Sequence, residues 1–120
     1  MSVYNKAHDL ARELAASEEY KEYLKAKEKM EKDKTNLSIL EEYRRKQWEV
    51  QMAQLLGQEV DEELLVQLEQ IYQILSLNPA INEFLLAEYR FTRMLGDIQK
   101  ILAESVESWF SVGGYNPMLN

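Results

Sequence analysis

The sequence predicts an all-α fold, a bundle of about five helices with a long C-terminal helix, dimerising through helix-helix packing. Three observations carry this. The 120 residues hold only four Gly and two Pro, with 46% hydrophobic and 29% charged residues, a balance that suits helices and excludes a disordered chain. Apolar residues recur at spacings of three and four through most of the chain. The segment from Asn78 to Phe110 has no glycine or proline pair to break it before Gly113, so it reads as one continuous helix.

That last segment has a marked start. Asn78 offers a side-chain oxygen to cap the helix, and Pro79 occupies the first turn, where a missing N–H costs nothing. Ile81, Phe84, Phe91, Leu95, Ile98, Leu102 and Trp109 form a stripe that Leu85, Met94, Ile101 and Val106 widen. About 32 residues at roughly 1.5 Å each give a rod of about 48 Å. A compact globule of this length is about 35 Å across, so the stripe extends past what one subunit covers and calls for another copy or another protein.

The preceding elements follow from the same rules. Val3, Ala7, Leu10, Ala11 and Leu14 mark a first short helix, and Ser17 with Glu18 and Glu19 caps a second running to about Glu31 on Tyr20, Tyr23, Leu24 and Met30. Asp33 or Asn36 opens a third helix that ends near Gly57. Asp61, followed by Glu62 and Glu63, opens a fourth through Leu64, Leu65, Leu68, Ile71, Tyr72 and Leu75. Residues 1–110 thus form a single domain, and residues 111–120 read as a flexible tail.

The third helix is apolar on two opposite sides. At about 100° per residue, Ile39, Tyr43, Val50 and Ala53 fall on one side and Leu37, Trp48, Met52 and Leu55 on the other. Such a helix is expected between two layers, its own chain and a second subunit. Gln47, Gln51, Gln54 and Gln58 lie between the faces, either as good helix formers or as a polar seam for a ligand. Glu88 and Arg90 extend that seam onto the last helix, where Glu88 needs a partner such as Arg44, Arg90 or Arg93. Gly96, in mid-helix, reads as a point of close helix approach, with a bend or a binding notch as the alternatives. Phe84, Phe91, Leu95, Ile98 and Leu102, with Trp48 and Met52, are the residues expected to carry assembly.

Composition removes most chemistry. With no Cys and one His, this chain supplies no disulfide framework, thiolate metal site or cysteine nucleophile. His8 has no nucleophile at a suitable spacing. Paired Glu-x-x-His motifs, a phosphate loop, a dinucleotide fingerprint and a zinc His-Glu-x-x-His are all absent from the sequence. No enzyme activity, cofactor or metal is therefore expected. Residues 1–60 carry 11 Lys plus Arg against 12 Asp plus Glu, and residues 61–120 carry 3 against 9, giving −1 and −6. The acidic second half disfavours nucleic acid, and between Lys21 and Arg45 the acidic residues interleave with the basic ones, as on a solvated helix face. With no leader-like or membrane-spanning run, a cytoplasmic location away from the membrane is expected.

Four short patterns together resemble the bacterial YlbF/YmcA family, which includes YheA-like members. They are Ala7-x-x-Leu10-Ala11, Ser17-Glu18-Glu19-Tyr20, Tyr43-Arg44-x-x-Gln47-x-x-x-Gln51 leading to Gly57, and Ala87-Glu88-Tyr89-Arg90. The resemblance covers residues 4–110. It implies a small helical protein that forms homodimers or larger assemblies and acts without catalysis. It further implies a place beside other family subunits in a complex supporting ribonuclease Y-dependent RNA processing, with effects on competence, sporulation and biofilm formation. Relatives in that complex bring cysteines associated with iron-sulfur clusters, which this chain lacks. A self-assembling YheA-type paralogue, with a small-molecule or nucleic-acid binding role, is the alternative.

Overall fold

The computed structural model describes residues 2–111. Six helices follow one another: α1 (Ser2–Ala15), α2 (Glu18–Glu31), α3 (Lys34–Leu55), α4 (Glu62–Ser76), α5 (Pro79–Ser105) and α6 (Glu107–Ser111). No strand occurs among the described residues.

The boundaries are set by the capping residues. Ser17 accepts from Tyr20 N–H at 3.2 Å, Asp33 from Thr35 N–H at 2.9 Å, Asp61 from Glu63 N–H at 3.1 Å and Asn78 from Ile81 N–H at 3.1 Å. Each satisfies one of the donors that a helix start leaves free. Of the two candidate caps for α3, Asp33 is the one used. Gly57 closes α3 with φ of +70°, a left-handed conformation that L side chains avoid.

The long helix differs from expectation at its far end. The run expected to continue from Asn78 to Phe110 breaks at Val106 (φ −127°, ψ 40°), and α6 resumes at Glu107. The bundle therefore has six helices rather than five. The 27 residues of α5 make a rod of about 40 Å. β-branched Val106 follows Ser105, whose hydroxyl donates to the Leu102 carbonyl at 2.7 Å, a local bond that competes with helix continuation. The tail expected after Phe110 lies, from residue 112 onward, outside the described residues.

α2 runs antiparallel along α5, and α3 antiparallel along α4. The first pairing is fixed by Tyr20 on Phe91 (ring centroids 5.2 Å), Tyr23 on Phe84 (5.6 Å) and two rim ion pairs, Glu22–Arg90 (3.5 Å) and Lys29–Glu83 (2.9 Å). The second is fixed by Tyr43 on Tyr72 (6.3 Å) and by Lys46 Nζ donating to Gln67 Oε1 at 3.0 Å. A compact core of Ala26, Met30, Leu40, Leu75, Ile81, Phe84 and Ala87 sits where α2, α3, α4 and α5 meet.

A buried amide pair locks that meeting point. Asn36 is 6% exposed. Its Nδ2 donates to the Met30 carbonyl at 3.2 Å, while its Oδ1 accepts from Asn78 Nδ2 at 2.7 Å. Since Asn78 also caps α5, one chain of bonds joins the end of α2, the start of α3 and the start of α5. Beside it, Asn82 Nδ2 donates to the Ser76 carbonyl at 2.9 Å and satisfies the end of α4.

The molecule spans 52 × 38 × 16 Å with a radius of gyration of 18.5 Å, against about 14 Å for a compact domain of this length. Packed helix axes lie about 8–10 Å apart, so the thin dimension holds two layers of helices and not three. Within one chain α3 is covered on its inner side only: Leu40 and Val50 are buried, Leu37 joins the edge of the core, and Trp48 and Leu55 face outward, on the side where a second subunit is expected.

Replacing Asn36 by Ala removes the side-chain donor to the Met30 carbonyl, which keeps its backbone donors, and leaves Asn78 Nδ2 without its buried acceptor. We expect a loss of about 1–3 kcal/mol in urea unfolding, with unchanged m, and no comparable loss for Asn82→Ala at its exposed site.

Candidate interaction surface

The aromatic and aliphatic stripe of α5 divides into an inner and an outer half. Phe84 and Ala87 are buried under α2, and Phe91 is half-buried against Tyr20 and Tyr23. Because α2 begins at Glu18, its cover ends near Phe91. Leu95 and Ile98 are only half-buried, and Leu102 is 49% exposed. Of the assembly residues expected from sequence, Phe84 is a correction: it belongs to the internal core, with the Arg44 guanidinium 5.8 Å from its ring centroid. An aromatic under a cation and against Tyr23 is already desolvated within its own chain. On α3, Trp48 is 59% exposed and Met52 is half-buried.

The polar seam is not assembled as one feature. Gln47, Gln51 and Gln54 are exposed on α3, and no hydrogen bond among the described residues joins them to Glu88 or Arg90. Glu88 accepts from Arg44 Nη2 at 2.5 Å, while Arg90 turns to Glu22. Arg44 was one of three partners the sequence allowed. With side chains 45% and 31% exposed, the Arg44–Glu88 pair mainly fixes α3 against α5, and its contribution is small, of the order of 1 kcal/mol or less.

Sequence reasoning missed two apolar surfaces. α4 exposes Leu65, Val66, Tyr72, Ile74 and Leu77. The signal was present, since apolar residues surround α4 on nearly every side and such a helix needs cover all round. α1 carries an apolar stripe and yet has no buried residue. Gly96 also departs from its reading, because a Cβ built there meets nothing within 4 Å, so no close approach inside the chain requires it.

The remaining concavities are shallow. A cleft of about 300 Å³ lies between α2 and α5; of its charged residues, Glu22 pairs with Arg90 and Lys29 with Glu83, while Lys25 also lines it. Among the described residues no group of three or more His, Cys, Asp or Glu is placed to hold a metal ion. No described helix is long and apolar enough to cross a membrane.

The area is the most telling quantity. The chain exposes 9584 Å² at a mass of 14.1 kDa, whereas a compact monomer of that mass exposes about 6,700 Å². The excess is about 2,900 Å². Crediting residues 1 and 112–120 with the full surface of an extended chain removes about 1,600 Å². What is left still exceeds the roughly 800 Å² that each partner buries in an interface of standard size.

A thin helical layer with open apolar faces defines a class of small all-α proteins built around surfaces rather than around a pocket. The chain belongs to the YlbF/YmcA family: residues 3–107 match the family model described as "Control of competence regulator ComK, YlbF/YmcA". It is similar to a UPF0342 protein of Caldicellulosiruptor bescii, at 42% identity over 106 residues covering 88% of this chain and 89% of the relative. A UPF0342 protein of Desulfitobacterium hafniense is 40% identical over 106 residues, covering 88% and 86%. In three dimensions the chain resembles a solved Bacillus stearothermophilus protein described as a DUF964 protein of unknown function, with a TM-score of 0.73 over 89% of this chain and 94% of that one. At 18% identity that likeness concerns the fold alone.

Gly96→Ala should raise thermal stability by about 0.5–1 kcal/mol, the helix-propensity gain with no steric penalty. A double-mutant cycle on Arg44→Gln and Glu88→Gln should give a coupling of about 1 kcal/mol or less that shrinks further in high salt.

Proposed function

We propose that this chain is a regulatory adaptor without catalytic activity of its own, which self-associates and presents apolar helix faces to partner proteins. The observation that carries the reading is the surface excess on a protein only two helix layers thick. A catalytic domain of this size would instead enclose a pocket and converge polar groups on it.

The finer reading follows the family. A cytoplasmic homo-oligomer, acting with other YlbF/YmcA-family subunits in support of ribonuclease Y-dependent RNA processing, would influence competence, sporulation and biofilm formation. The family model's description as control of a competence regulator supports the regulatory part. Residues 1–110 act as one domain in this reading. Trp48 and Met52, near the far end of the α3–α4 hairpin, are proposed for a partner protein, and Leu95, Ile98 and Leu102 for self-association. The glutamines of α3 line the partner side as hydrogen-bonding groups rather than as a ligand site.

Chromatography with light scattering should give a mass of at least two chains, and a single-chain mass would overturn the reading. Leu102→Asp should shift the protein toward the single chain, because a charge left unpaired in an apolar contact costs several kcal/mol. Leu102 is the informative position, since Asp at Phe91 would also disrupt the intrachain contact with Tyr20 and Tyr23. Affinity purification of the tagged chain from its own cell should recover a ribonuclease with other family subunits. Recovery of the chain alone would favour a self-assembling YheA-type paralogue.

A further inference from the structure

We propose that α1 and the outer half of α5 together form the contact between two copies of this chain, each offering the same two helices to the other about a two-fold axis. The inference rests on the self-association reading above and names where it occurs.

Three observations carry it. First, α5 holds one continuous apolar line, and α2 covers only its inner half. Leu95, Ile98 and Leu102 continue the line beyond the start of α2, where no helix of the same chain lies fully over them. Second, α1 is amphipathic, has no buried residue, and meets the rest of the chain chiefly where it joins α2. Its stripe, with Leu10 and Leu14, leads into a groove of about 190 Å³ that Leu14 and Ala15 share with Tyr20 and Phe91. The two uncovered stripes therefore start from one place. An isolated 14-residue helix is marginal in water, so α1 needs a neighbour along its length.

Third, charge selects a second copy for this surface. Lys6, Asp9, Arg12 and Glu13 of α1 sum to zero, as do Arg93, Asp97, Lys100 and Glu104 of outer α5. Two chains of net charge −7 can thus meet here without local repulsion. The other open apolar helix, α4, begins with Asp61, Glu62 and Glu63 and carries Glu69, so self-pairing there would set like charges together. A two-fold arrangement makes each contact twice and closes the assembly. The four helices then bury the half-covered stripes that neither copy covers alone.

The absence of cysteine makes the test direct. Chains carrying Leu10→Cys are mixed with chains carrying Leu102→Cys or, to allow for a turn of register, Ile98→Cys, and oxidised with diamide. We expect a disulfide-linked product of two chains for at least one mixture, in at least tenfold greater yield than with Asn5→Cys, which lies on the opposite side of α1. Equal yields from Leu10→Cys and Asn5→Cys in a protein of dimer mass would overturn the inference and leave the self-association reading standing. A link formed only when both cysteines share a chain would mean that α1 closes on its own α5, which also overturns it. A single-chain mass for the unmodified protein would remove both.

Discussion

Thickness governs this protein. At 16 Å through its thin direction, the chain has room for two layers of helices, so every helix keeps at least one side on the surface. The core is correspondingly local: it gathers at the crossing of four helices and does not extend along them. Beyond the crossing, α1, the ends of α3 and α4, and the outer part of α5 project as arms with apolar sides. The same architecture that leaves shallow clefts among the described residues gives the molecule long edges for contact.

The crossing itself is held by directional bonds rather than by bulk. The Asn36–Asn78 pair connects three helix ends through bonds of 2.7–3.2 Å, and a buried amide that lost them would be left with unsatisfied groups. Apolar contacts tolerate sliding by a turn, but an amide chain of this kind does not. Together with the aromatic stacking of Tyr20 and Tyr23 on Phe84 and Phe91, it fixes the register of α2 on α5, which decides where cover ends and the open stripe begins.

Much of the fold was legible in the sequence because caps are local. Ser17, Asp33, Asp61 and Asn78 each bond a backbone N–H two or three residues ahead, so a short window suffices to find them. The break at Val106 was not legible, since no Gly or Pro marks it. The pairing of Asn36 with Asn78 was hidden for another reason: the two residues are 42 apart, and nothing in either local pattern refers to the other. For the interaction surface, the outer stripe of α5 was visible as periodicity, but periodicity does not say which residues a neighbouring helix covers. Phe84 and Leu102 carry the same signal and end on opposite sides of that division.

The placement of the two indoles has a practical side. Trp48 is 59% and Trp109 73% exposed, at positions well separated along the chain, so neither ring enters the core when a single chain folds. Much of each ring is therefore left to water within one chain. A blue shift that grows with protein concentration would report burial contributed by a neighbour, which turns its own tryptophans into built-in sensors of company.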